Sequence, residues 1–184
     1  MKYEEITKIV DYIYGLDKSF RNILILAGGL VPYYAFHHVS SRKHGDIDFI
    51  CNISDINKIR EVLKNNGLYV EEFDSLYSFS SDFGFECIIK NIKVGIFPFE
   101  IKDKIYQYSF DSRIKLKKIH TINISKKEYI KKYSHLLFQT MSVEVILKSK
   151  IFACREIDKV DIDTICKNNY NRLLYSKLII ETDF

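Results

Sequence analysis

The chain has 184 residues, of which 47% are hydrophobic and 28% charged; this is a globular composition, long enough to bury a core without staples, and it excludes an intrinsically disordered chain. Lys+Arg 28 against Asp+Glu 24 leaves a net charge of +4, too small an excess to mark a nucleic-acid binder by itself, although it leaves room for a local basic patch facing phosphates. No apolar run approaches the roughly 20 residues that a helical membrane span requires.

The first residues, MKYEEITKIV, carry two glutamates and no apolar core and do not read as a signal peptide. A helix is predicted over 2–15, with Ile6, Ile9, Val10 and Ile13 on one stripe. ILILAGGL (23–30) reads as a buried strand meeting a glycine turn, and Pro32 at the start of VPYYAFHHV (31–39) suits the first turn of a helix. The polar stretch SSRKHG leads into DIDFI (46–50), a strand with carboxylates on one face and apolar side chains on the other. Ser54 is placed to cap a helix ending near Asn66, with Gly67 at its C-terminal end.

The middle reads as strands: LYVEEF (68–73), SLYSFS (75–80), FECIIK (85–90), IKVGIFPF (92–99) and KIYQYSF (104–110). Beyond residue 125 the pattern turns helical: VEVILKSKIFACRE after Ser142, a stretch over 157–168, and a last helix over 170–181. The expectation is an α+β fold, a mixed β-sheet flanked by helices. It is one compact unit with an α/β core over 1–125 and C-terminal helices over 126–184 packed on it. Cys51, Cys87, Cys154 and Cys166 form no Cys-x-x-Cys pair and each lies among apolar residues, which predicts buried, reduced thiols in a cytoplasmic protein and no structural zinc.

Three local features carry chemistry. Gly28-Gly29 closes a buried strand, and glycines there permit close approach of backbone to a phosphate, although a simple turn explains such a pair equally well. Asp46 and Asp48 are i and i+2 on a strand, so both carboxylates project together; they repel unless a cation neutralises them, and Mg²⁺ prefers carboxylate and phosphate oxygens. For Asp-x-Asp in isolation, two solvated aspartates are the simpler account. In the helix after Ser142, Val143, Ile146, Leu147, Ile151 and Cys154 define one face, with Lys150 in its middle and Lys148 turned away. An inward lysine needs an anionic partner, phosphate or carboxylate. In the next helix Asp158 and Asp161 fall within the arc of Ile157, Val160, Ile162 and Ile165, so a helix-to-helix ion pair competes with a ligand role, and Arg155 is placed to join it.

In this order, GG (28–29), RKHGDID (42–48) and LKSKIFACREIDKVDID (147–163) resemble the nucleotidyltransferases of the DNA polymerase β superfamily, closest to the branch of abortive-infection toxins of toxin–antitoxin type; the resemblance spans 23–167. It implies that Gly28, Gly29, Arg42, His44 and Lys150 contact the triphosphate of a nucleotide, with His44 equally placed to be an ordinary loop residue. It implies two Mg²⁺ ions on Asp46 and Asp48, and a positioning role for Asp158. The implied reaction is transfer of a nucleoside monophosphate from a nucleoside triphosphate to an acceptor, with release of pyrophosphate. The acceptor is open between tRNA, protein and a small molecule, and a protein partner also remains open. One departure stands out. The family's third carboxylate on a neighbouring strand is missing, because Gly95 occupies its slot. Glu100, re-aimed by a bulge at Pro98, is the favoured replacement and Glu86 the second candidate, and an inactive nucleotide- or partner-binding relative is the competing reading. The basic stretches KLKKIH (115–120) and KKEYIKKY (126–133), with Tyr129 and Tyr133 for stacking, read chiefly as solvated faces.

Overall fold

The computed structural model describes residues 1–69, 84–102, 105–108, 121–122 and 126–180. Most of the strand expected at 68–73, all of the one at 75–80, part of the one at 104–110, and the basic stretch 115–120 lie outside the described residues.

Helix α1 (Tyr3–Leu16) is followed by a short α2 (Phe20–Ile23), β1 (Ile25–Ala27), a 3-10 turn (Gly28–Leu30) and α3 (Val31–Phe36). Then come β2 (Asp46–Asn52), α4 (Ile56–Asn65), β3 (Phe85–Ile89), β4 (Ile92–Lys102), β5 (Ile105–Tyr108) and β6 (Thr121–Ile122). The described chain closes with α5 (Lys126–Tyr129), β7 (Ile130–Lys131), β8 (Gln139–Met141), α6 (Val143–Ala153), α7 (Asp158–Lys167) and α8 (Arg172–Ile180).

One mixed sheet joins the strands in the order β6-β5-β4-β2-β1-β8-β7, with β3 paired to β4 on the side away from β2. Strands β1 and β2 are antiparallel, whereas β2 with β4 and β1 with β8 are parallel. The α+β architecture expected from the sequence, a mixed sheet flanked by helices, is present. Two strands lie beyond residue 125, where the sequence reads as purely helical. Strand β8, Gln-Thr-Met, is too short to show an alternation and is a strand because it docks beside β1.

Alternation along β2 separates the two faces of the sheet. Ile47, Phe49 and Cys51 are fully buried, and Val94, Ile96, Phe85 and Ile89 share their side in β4 and β3. Helix α1 lies on this side with Ile6, Ile9, Val10 and Ile13 inward, and Tyr14 meets Phe49 edge-on at 5.6 Å between ring centroids. The first turn of α1 is held by Glu5, whose Oε2 accepts the Lys2 N–H at 2.9 Å. The β3–β4 hairpin turns on Lys90 and Asn91, both with positive φ (50° and 63°), the two-residue geometry that matches strand twist.

Four local expectations are corrected. The α4 entry is capped by Asn52, which accepts the Ser54 N–H at 3.1 Å, rather than by Ser54. In α6 the face is not continuous: Val143, Ile146, Leu147 and Lys150 are buried, but Ile151 and Cys154 are exposed, because the last turn projects past the core. In α7 the buried stripe is Asp158, Asp161 and Ile165, while Ile157 and Val160 face outward, so a polar network, not an apolar seam, docks this helix. For the cysteines, Cys51 and Cys87 are buried as expected, and Cys154 and Cys166 are exposed.

Candidate active site

The site begins where β1 ends. Gly28 has φ +66°, the left-handed region that glycine enters without cost, and this turns the chain sharply into the 3-10 segment. A Cβ on Gly28 would fall on the carboxylate Oδ2 of Asp48, and one on Gly29 would fall on the Arg42 guanidinium, 3.3 Å from Asp161 Oδ2. Having no side chains, the glycine pair leaves room for Asp48 on one side and the Arg42–Asp161 pair on the other.

Asp46 and Asp48 occupy one face of β2, as the spacing predicts. Asp46 is exposed and Asp48 partly buried. Neither carboxylate has a hydrogen bond or ion pair among the described residues. Burial first, and the neighbouring charge of Asp46 second, push the Asp48 carboxyl up to about 7, against a smaller opposing pull from Lys150. Two hard oxygen donors of this kind, one of them desolvated and unpartnered, fit a divalent cation such as Mg²⁺. Among the described residues no group of three His, Cys, Asp or Glu side chains converges as a metal site.

The second half of the site is a buried ion-pair network. Lys150 Nζ lies 2.8 Å from Asp158 Oδ1 and 2.6 Å from Asp161 Oδ2. Arg42 grips Asp161 with two parallel bonds of 2.7 Å each, the fork geometry that makes such pairs strong. Tyr33 donates its hydroxyl to Asp161 Oδ1 at 2.6 Å, and Arg155 reaches Asp158 at 2.7 and 3.0 Å. Both aspartates are almost fully enclosed. Burial works against their charge, but the hydrogen bonds outweigh it. Those from Arg155 and Lys150 hold Asp158 down at about 2, and those from Arg42, Lys150 and Tyr33 hold Asp161 below the usual carboxylate range. Three cations against two carboxylates leave the network with an excess positive charge, facing the uncompensated Asp46–Asp48 pair.

The structure thus brings together Gly28, Gly29, Arg42, Asp48, Lys150 and Asp158, with Asp46 beside Asp48. It departs from the expectations at two residues. His44 is only 2% exposed, packs edge-on against Tyr33 at 5.5 Å and lies 2.9 Å from Ser40 Oγ. Burial first, then the Arg42 charge, lower its pKa to about 4, so it is a neutral packing residue under Tyr33 and not a phosphate contact. The favoured acid, Glu100, does not reach the aspartates. The register from Asp46↔Lys93 through Asn52↔Phe99 runs without a bulge at Pro98, so Glu100 keeps the opposite parity to Gly95 and pairs with Gln107 at the far end of β4. Proline is accommodated there without re-aiming the strand. Tyr129, considered for stacking, is fully buried.

Sequence reading did not single out Tyr33 or Lys93 and gave Asp161 no separate role. Asp161 was within reach of it, since an i, i+3 pair of aspartates places both carboxylates on the face that Lys150 meets.

No family model matches the chain, and no curated protein matches it. Solved structures do. The solution structure of the antibiotic-resistance factor ANT(2'')-Ia superposes with a TM-score of 0.62 at 17% identity, over 98% of this chain and 90% of that one. The crystal structure of ANT(2'')-Ia in complex with adenylyl-2''-tobramycin gives 0.63 at 14% identity, over 94% of each chain. The lincosamide antibiotic adenylyltransferase LnuA, bound to lincomycin, gives 0.60 at 17% identity, over 86% of this chain and 95% of that one. Across nearly its whole length, this chain therefore has the nucleotidyltransferase fold of those antibiotic adenylyltransferases.

Proposed function

We propose that the protein is a Mg²⁺-dependent nucleotidyltransferase that moves a nucleoside monophosphate from a nucleoside triphosphate to a hydroxyl of a small molecule, releasing pyrophosphate. The observation that carries this reading is the unpartnered Asp46–Asp48 pair set against the glycine turn at Gly28-Gly29, with the cationic network of Arg42, Lys150 and Arg155 behind it.

Each residue has a definite task. Asp46 and Asp48 hold the divalent cation, which when bound supplies charge for the phosphate oxygens and acidifies the attacking hydroxyl. Gly28 and Gly29, lacking side chains, leave their backbone open to the phosphates. Lys150 keeps its ammonium beside the pair, and its field favours negative charge there. Asp158 and Asp161 fix that ammonium; Asp158 acts as a positioning residue, since it is enclosed and fully engaged by Lys150 and Arg155. Arg42 serves the same end by clamping Asp161. Small-molecule acceptors are favoured over tRNA or protein because the folds matched are those of enzymes named for antibiotics, and this chain spans nearly their full length.

The test is incubation with each α-labelled nucleoside triphosphate, Mg²⁺ and a panel of hydroxyl-bearing acceptors that includes tobramycin and lincomycin, together with tRNA and cell extract. Mg²⁺-dependent label on a small molecule, lost in Asp46→Asn and Asp48→Asn, is the expected result. Label on tRNA or protein instead would correct the acceptor class. A second reading rests on Gly95 standing where an acid is expected: a nucleotide-binding relative without activity. Thermal stabilisation by nucleoside triphosphate without any metal requirement, and no transfer to any acceptor, would favour it.

A further inference from the structure

Pairing through the sheet sets one row of residues side by side on the aspartate face: Asp48 on β2, Gly95 on β4 and Glu86 on β3. The adjacent row is Asp46, Lys93 and Ile88. An acid at 95 would require the Phe97 ring to move, since a Cβ there would lie 2.5 and 2.8 Å from two of its ring carbons and 3.2 Å from Asp48 Oδ1. The next acid outward in the row is Glu86. Two strand spacings put its Cα about 10 Å from that of Asp48, a gap that one aspartate, one glutamate and two metal–oxygen bonds of about 2.1 Å have to span together.

Glu86 is at present held by Lys93, Nζ to Oε1 2.8 Å. Lys93 is also the register partner of Asp46 on β2, so its side chain shares the sheet face with both aspartates. A cationic head thus already sits in the field of three acids that no other described cation pairs directly. The Lys93–Glu86 pair is half exposed on the lysine side, and exposed pairs of this kind contribute little, so Glu86 is readily released.

Resting on the function proposed above, we infer that Glu86 is the third carboxylate of the cation site, displaced one strand outward from the glycine at 95, and that Lys93 is its built-in stand-in cation until a divalent ion binds. Asp46, Asp48 and Glu86 would then hold the ion, which would supply to Glu86 the positive charge that Lys93 supplies now.

Binding of Mn²⁺ alone, followed by the loss of the free-ion electron-paramagnetic-resonance signal, tests this without any substrate. Glu86→Gln is expected to weaken Mn²⁺ binding by about tenfold or more, and Lys93→Met to tighten it by about two- to fivefold. Glu100→Gln, on the opposite face, should leave it unchanged. If Asp46→Asn and Asp48→Asn abolish binding while Glu86→Gln does not alter it, the inference about Glu86 fails and the aspartate pair stands. If neither aspartate variant changes binding, the proposed function itself fails. Weaker binding in Lys93→Met overturns the stand-in role.

Discussion

Two clusters of charge meet at the Gly28-Gly29 turn, and they are built on opposite terms. In the Arg42–Asp161–Lys150–Asp158–Arg155 network every described group has a partner at 2.6–3.0 Å, and burial is compensated by hydrogen bonds. In the Asp46–Asp48 pair neither carboxylate has a partner among the described residues and burial is only weakly opposed, so the Asp48 carboxyl is pushed up to about 7. The lesson is one of division of labour: a satisfied network holds geometry, whereas an unsatisfied pair keeps binding capacity for something that arrives from outside. Changing a residue in the first should therefore damage the fold, and changing one in the second should damage the chemistry and spare the fold.

The largest effect expected is on activity. Asp48→Asn should lower nucleotide transfer by about 10³-fold, since charge stabilisation by a bound ion is worth several kcal/mol, while its denaturant midpoint does not fall. Transfer assays on the purified variant and urea melts run in parallel check both halves. Near-normal activity would dissolve the contrast between the two clusters.

Asp161→Ala should do the reverse and strike stability first. It takes from Arg42 its carboxylate and from Lys150 one of its two, and removing one partner of a buried ion pair costs about 3–5 kcal/mol. Lys150→Ala belongs to the same class, and Lys148→Ala, on the half-buried side of α6, should cost clearly less. Urea denaturation of the three variants gives the ranking; equal losses from Lys150→Ala and Lys148→Ala would undo the assignment of the inward face.

A smaller effect is expected at the turn joining the clusters. Gly28→Ala places a Cβ on the Asp48 carboxylate and a non-glycine residue at φ +66°, a conformation that costs an alanine about 1 kcal/mol or more. Gly29→Ala has ordinary backbone but drives into the Arg42 guanidinium, so it should weaken the Arg42–Asp161 pair in particular. A melting temperature unchanged in both variants would mean that the turn relaxes freely and does not set the spacing of the clusters.

Much of this arrangement was legible in the sequence, and the reasons for the misses are physical. Strand β2 announced itself through alternation, and Gly28-Gly29, Asp46, Asp48 and the inward Lys150 followed from local periodicity. Glu100 is not the acid beside the aspartates because Pro98 leaves the parity of β4 intact: the β2–β4 register is uninterrupted, so the strand absorbs the proline. Strand β8 was missed because three residues hold no pattern and its conformation is dictated by β1. The enclosed face of α7 is not legible locally because Asp158 and Asp161 are buried chiefly by partners on other segments, while Ile157 and Val160 beside them are exposed. In each case the deciding contact is long-range, and local sequence carries no record of it.

The smallest effect is a slope, and it separates the two clusters most cleanly. The folded-state pKa of Asp48 lies well above its ordinary 3.8, at about 7. Folding thus favours its neutral form, and the associated stability is full below about pH 4 and is lost as pH rises through about 7. Asp158 runs the other way: held down at about 2, it contributes stability that is present above about pH 4 and lost as pH falls through about 2, with Asp161 acting in the same direction. Measured in metal-free buffer, the stability of Asp48→Asn minus that of the parent should therefore grow between pH 4 and 7 and level off above. The stability deficit of Asp161→Asn should be nearly constant above pH 4 and shrink below it, where the parent carboxylate is itself being protonated. Urea melts at half-unit pH steps resolve both trends. A flat difference for Asp48→Asn would mean that burial and the Asp46 charge do not penalise the Asp48 carboxylate, and the pair would then lack the uncompensated charge that suits it to a cation.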